Sequence, residues 1–485
     1  MQSHRADPAH REIRARHRWF SSKIDASICF VLYFAALVLF LKVVQSANTP
    51  QLLTGEEASV SFVDPVGVEH RWQFMHFSTN FGGHVFFWVA SFFASELGLF
   101  YGRIAKACAM ALLAPLLYHT IRTRLGVKQG PAIIGALTGI AFPGVVSFSW
   151  VAIEPGLDSV VGLIGLLVAT TKRPFWCVAP LFAGVVVSTY GGGVPWALGI
   201  ALVAIVRTIA SIRQHEYLPI ALVAASGMAG LGIIAFPLLW WGGGVVVSGG
   251  GSFGLSEAPR ALGFLLTELT NQGSSYYYFN SNPALGSAPV AAISFVAILW
   301  MAVRAPQVWP WLIALATTIA LYAVSGGILG VRRATIIPIV CAMALAFAID
   351  RMARLLTRRS KFGAILLIAS TAAALLLPLA VQIQNNRLAL FSGTEPLPQD
   401  FAFPLEDGRT MQQMLEVLSD RLRQNPAALD EIALTWEGER TAAIITLLSD
   451  RGAIEEVPLS GDVVERMYRE GPRCESECTP VAGRP

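Results

Sequence analysis

Charge is what this chain has least of. Asp, Glu, Lys and Arg make up 14% of its 485 residues, against 54% hydrophobic residues. That balance excludes an ordinary soluble fold and points to a polytopic membrane protein. Apolar runs recur from Ile28 to Val381 without the alternation of barrel strands. Backbone polar groups in hydrocarbon have no water to pair with, so such runs form helices. Lysine is scarce too, 6 against 30 arginines, as in GC-rich bacterial genomes. Phosphate-loop endings are missing. The glycine clusters Gly191–Gly193 and Gly242–Gly254 lack a following Gly-Lys-Ser/Thr and read as outer loops.

Of six cysteines, Cys29, Cys108, Cys177 and Cys341 stand singly in apolar spans and read as packing residues. Cys474 and Cys478 lie in the tail, which has no histidine to complete a zinc site, so a local disulfide is expected there.

What charge there is lies unevenly. From Gln384 onward 18 acidic residues face 10 arginines, so the tail carries −8 and the remainder +12. Arg5, Arg11, Arg14, Arg16, Arg18 and Lys23 precede the run Ile28–Val44, which is of spanning length and reads as a retained first helix rather than a cleaved signal. The basic excess belongs to membrane orientation, not to nucleic acid.

Spans are expected near 26–45, 104–121, 131–149, 157–171, 175–190, 194–210, 218–240, 288–303, 308–326, 334–350 and 362–382. With a cytoplasmic N-terminus, these eleven crossings place Arg122, Arg124, Lys128, Lys172, Arg173, Arg207, Arg213, Arg304 and the cluster Arg351–Lys361 inside. The apolar segment Val85–Phe100 is then an interfacial helix, since a crossing there would turn Arg122, Arg124 and Lys128 outward. The expected fold class is an all-α polytopic bundle of about 11 transmembrane helices with a small C-terminal α/β domain. Residues 1–24 form a basic cytoplasmic N-terminus and 25–383 the membrane domain, with an outer acidic loop 46–103 and an outer loop 241–287. Residues 384–485 form the exterior domain, periplasmic in a bacterium, its helix and strand patterns beginning after Pro396, Pro398 and Pro404. The protein is thereby placed in the inner membrane.

The outer features carry the candidate chemistry. The first outer loop holds Glu56, Glu57, Asp64, Glu69, His70 and His76, with His84 opening the interfacial helix. A carboxylate held at headgroup level is a general base for an acceptor hydroxyl. Its bland counterpart is solvated decoration. Arg332 and Arg333 stand at an outer mouth against the orientation rule, which suits a bound phosphate; headgroup snorkelling is the alternative. Glu154 and Asp158 are spaced i, i+4 at the outer end of a span, and Asp158 also suits a helix N-terminus, where its charge complements the dipole.

This order of parts resembles the GT-C superfamily of integral membrane glycosyltransferases, in the branch of the protein O-mannosyltransferases and the aminoarabinose transferases of lipid A. The resemblance is one of pattern over roughly residues 25–380. It runs through Thr54-Gly55-Glu56-Glu57-Ala58 to Asp64 and Gly82-Gly83-His84-Val85-Phe86-Phe87-Trp88, then Tyr101-Gly102-Arg103. It continues through Pro143 to Glu154-Pro155-Gly156-Leu157-Asp158 and ends at Arg332-Arg333-Ala334-Thr335-Ile336-Ile337-Pro338. The family's proline pair after the histidine is absent, and Ala334 stands where it has tyrosine.

The resemblance implies transfer of a sugar from a polyprenyl-phosphate donor at the outer leaflet, with inversion. Asp64 or Glu57, beside Glu56, would be the base. Arg332 and Arg333 would take the lipid phosphate, with His84, Glu154 and Asp158 binding substrate. The acceptor would be a cell-envelope glycan, lipid or protein. No cofactor is implied with certainty; some relatives use a divalent metal. The competing class is a lipid or solute transporter or flippase, which puts ionisable groups near midspan and repeats its halves; neither pattern is present in the sequence.

Overall fold

The computed structural model describes residues 23–47, 81–94, 101–152, 155–171, 175–240, 255–271, 283–324 and 334–392. Every regular element among them is helical. In chain order these are α1 (Lys23–Ala47), α2 (Phe81–Ala94), α3 (Tyr101–Ala111), α4 (Leu113–Arg124), α5 (Gln129–Ala141), α6 (Pro143–Val146), α7 (Leu157–Ala169) and α8 (Ala179–Thr189). There follow α9 (Gly193–Arg213), α10 (Tyr217–Trp240), α11 (Ala258–Thr270), α12 (Ala288–Arg304), α13 (Trp309–Val324), α14 (Ile336–Thr357) and α15 (Lys361–Ser392). Seven helical stretches are long and apolar enough to cross a membrane, and four shorter apolar helices accompany them. The chain is thus a multi-pass membrane protein with an α-helical core.

Prolines set the breaks. Pro115 has no N–H for the carbonyl of Ala111, and the expected span 104–121 is interrupted there, between α3 and α4. Pro143 ends α5 and opens α6 at its first position, so the expected span 131–149 is two helices. Residues 241–287, read from sequence as a glycine-rich loop, contain α11. Its buried face of Ala261, Leu265, Glu268 and Leu269 follows helical spacing, and Pro259 sits in its first turn. Helix α15 continues through 384–392, residues assigned from sequence to the tail. The rest of the proposed α/β domain, with Cys474 and Cys478, lies outside the described residues. Cys29, Cys108, Cys177 and Cys341 are free thiols, half-buried or buried, as packing residues should be.

In a bilayer the hydrophobic effect does not drive helices together, so close approach falls to small residues. A Cβ on Gly135 would lie 2.6 Å from Ala346 Cβ, and one on Gly139 would lie 2.6 Å from a Leu117 methyl and 3.1 Å from Ala342 Cβ. These contacts set α5 antiparallel to α4 and α14. Gly162 meets Trp196 and Gly165 meets Ile200, which makes α7 and α9 parallel. The tightest helix–helix approach of this kind is Gly184 on α8, whose Cβ would lie 2.3 Å from the carbonyl oxygen of Gly230 on α10. Gly184→Ala is expected to destabilise the protein by about 1–3 kcal/mol, because backbone must move. Gly232→Ala, with nothing within 4 Å, should change little. Thermal melting in detergent compares the two, and equal melting would refute the packing argument.

One end of the bundle is basic. Arg124 donates to Leu167 O at 3.2 Å and Arg207 donates to Thr171 O, capping the C-terminus of α7. Two carboxylates on different helices brace the turn between α4 and α5. Asp25 accepts from Tyr118 Oη at 2.5 Å and from Arg122 Nε at 3.4 Å; Asp350 accepts from Lys128 N at 3.1 Å and pairs with Arg354 at 2.7 Å. Arg122 and Arg354 then reach Val127 O and Gly126 O, and Gly126 takes the left-handed conformation that the turn needs.

Candidate active site at the end away from the basic turns

Across the opposite end lies α2. Its Gly82 packs on Ser188 and Thr189 at the tip of α8, and its Phe87 packs beside Gly102, Ala152 and Leu157 at the starts of α3 and α7. Beneath it, α3 opens Tyr101-Gly102-Arg103 and brings Arg103 and Lys106 one turn apart on one face. Both are enclosed, with 1% and 0% of their surface exposed. The Arg103 guanidinium sits 4.9 Å from the Trp150 ring centroid, within cation–π range. Lys106 Nζ donates to Pro155 O at 2.5 Å.

Pro155 leads into Gly156, at φ 92°, and this left-handed residue turns the chain into α7. Asp158 in the first turn is fully buried. It accepts from Gly156 N at 2.8 Å and from Thr335 Oγ1 at 3.3 Å, and Ser159 Oγ donates to that threonine at 2.7 Å. The Lys106 ammonium also acts on Asp158 through its charge. Two cations and a carboxylate therefore meet where α3, α7 and the start of α14 come together under α2. Burying ions is costly, and ionisable groups held within a membrane bundle mark functional sites by default.

Of the residues singled out from sequence, Asp158 is at this cluster, bonded to its own helix turn as a helix N-terminal charge would be. Glu56, Glu57, Asp64, Glu154, Arg332 and Arg333 lie outside the described residues, as does the side chain of His84, though α2 carries it. Thr335 follows Arg333 by two residues, and Pro155 follows Glu154 directly. Lys106, Trp150, Ser159 and Thr335 were missed. Lys106 had a signal: a lysine one turn beyond Arg103 in an otherwise apolar helix. A second buried polar contact was also missed. On α11, Glu268 accepts from Tyr322 Oη of α13 at 3.2 Å, and its backbone carbonyl accepts from Ala284 N. Among the described residues no group of three or more His, Cys, Asp or Glu could hold a metal ion.

No protein-family model matches the chain, and no curated protein matches it. Among solved structures it is similar to the crystal structure of ArnT from Cupriavidus metallidurans bound to undecaprenyl phosphate. The match has TM-score 0.42 and 14% identity, over 92% of this chain and 77% of that one. A superposition at that level is too loose to transfer chemistry. The chemistry is read instead from Arg103, Lys106 and Asp158.

Proposed function

We propose that the protein is a membrane glycosyltransferase of GT-C type that moves a sugar from a polyprenyl-phosphate donor to a hydroxyl acceptor at the outer face of the inner membrane. The observation that carries this reading is the buried pair Arg103 and Lys106 beside Asp158 at the non-basic end. In a site of low dielectric, such cations stabilise phosphate charge far better than they would in water.

Eleven crossings put that end outside, together with the loop acids and the tail. Asp64 or Glu57, beside Glu56, takes the proton of the acceptor hydroxyl. The freed oxygen attacks the anomeric carbon opposite the phosphate, whose bond breaks with its electron pair leaving on the lipid phosphate, so configuration inverts. Arg332 and Arg333, with Arg103 and Lys106, neutralise that charge, while His84, Glu154 and Asp158 orient the sugar. The buried charged side chains Asp25, Asp350, Arg103, Lys106, Asp158 and Glu268 stand at the two ends of the bundle, where they form no midspan conduit of the kind a transporter needs.

Lipid mass spectrometry of the detergent-purified protein tests the reading. Polyprenyl phosphate or its glycosylated form is expected to co-purify with the unaltered protein and to be lost from the Arg332→Ala, Arg333→Ala double variant. Bulk phospholipid alone in both samples would sink the proposal.

A further inference from the structure

Helices α9 and α10 do not close on each other. Between them lies a groove of about 610 Å³, floored by Ala183, Gly184 and Val187 of α8. Its walls are small where they face inward, with Ala201 and Ala204 on α9 and Gly227 on α10. Thr208 is the one hydroxyl lining it, and that hydroxyl is already bonded to Ala204 O at 2.8 Å. The groove therefore offers no polar group to a ligand.

Its walls are pinned to different neighbours. Trp196 and Ile200 hold α9 against α7, and Gly199 holds it against Pro310 of α13. Gly184 and Gly230 hold α10 against α8, and Ser226 Oγ donates to Cys177 O at 2.7 Å. The opening is consequently built in and does not depend on an occupant. Only 6% of the apolar window of α10 is buried, so the groove is open sideways to the bilayer. A lipid chain can enter it without leaving hydrocarbon.

The groove also runs up to the candidate site. Val187 lines it next to Ser188, on which Gly82 of α2 packs, while Phe87 of the same helix packs at Gly102, beside Arg103. From Gly82 to Phe87 the axial rise is about 7.5 Å. We propose that this groove holds the polyprenyl chain of the lipid whose phosphate lies at Arg103 and Lys106. The assignment rests on the glycosyl-transfer reading above. The small floor leaves depth for a methyl-branched chain, and the all-apolar lining accepts its whole length. Because the chain exchanges lipid contacts for protein contacts, the groove contributes packing and confinement, not hydrophobic transfer.

The test compares two phosphates on the full-length protein in lipid nanodiscs. Undecaprenyl phosphate carries the long chain, and farnesyl phosphate carries the same headgroup on a much shorter one. Ala201→Phe and Gly227→Leu fill the groove; Ala225→Leu adds similar bulk to an exposed face of α10 as a control. The filled variants are expected to bind undecaprenyl phosphate about tenfold more weakly, equivalent to about 1.4 kcal/mol. Farnesyl phosphate binding and the control should be unchanged, with melting temperatures checking the fold. Equal weakening of both phosphates, or of neither, would overturn the groove assignment while leaving the phosphate site intact. If neither phosphate binds the unaltered protein, the phosphate reading falls and takes the groove with it.

Discussion

The double variant Arg103→Gln, Lys106→Met is expected to lose sugar transfer by about 10²–10³-fold, the usual cost of removing preorganised charge from a developing anion. Both side chains are enclosed, so no solvent shell replaces them and the phosphate would meet a bare apolar wall. Lys106→Arg should restore part of the rate, since it keeps the charge while losing the 2.5 Å bond to Pro155 O in its original geometry. The measurement is single-turnover transfer from the donor found by lipid mass spectrometry. A double variant that transfers at the normal rate would show the pair to be structural, a brace between α3 and the turn before α7.

Asp158 should act mainly on stability. Asp158→Ala is expected to cost about 3–5 kcal/mol, because it removes the carboxylate facing Lys106 in a dry interior. It also leaves Gly156 N–H without the side-chain acceptor that closes the turn. Asp158→Asn keeps an amide oxygen for Gly156 N–H and Thr335, so it should lose less. Thermal melting of the purified protein separates the two substitutions. If both melt like the unaltered chain while transfer collapses, Asp158 serves the substrate and its bonds to the helix turn are incidental.

The two experiments also separate what was readable at this site from what was not. Arg103 and Asp158 could be picked out as charges in apolar surroundings. Their partners could not, because Lys106 meets Pro155 across 49 residues and Thr335 meets Asp158 across 177. Nothing in local periodicity encodes such distances. Helix α11 escaped notice for a different reason. Glycine-rich stretches flank it, and its apolar face alternates with Arg260, Thr267 and Thr270, which alone look like a polar loop. Only its packing on α13, through Tyr322 and Glu268, gives that face a purpose.

The amino-acid sequence by itself determined that the chain is helical and membrane-embedded, because runs of apolar residues leave the backbone no partner but itself. It also determined where helices break, since Pro115 and Pro143 lack the N–H that would continue them. Which faces meet was decided only by the tertiary structure. In lipid both the buried and the exposed faces of a helix are apolar, so hydropathy does not distinguish them. Contact goes instead to the few positions, such as Gly135, Gly162 and Gly184, where another helix fits against bare backbone. That fit brings Arg103, Lys106, Asp158 and Thr335 to one place and holds α9 apart from α10.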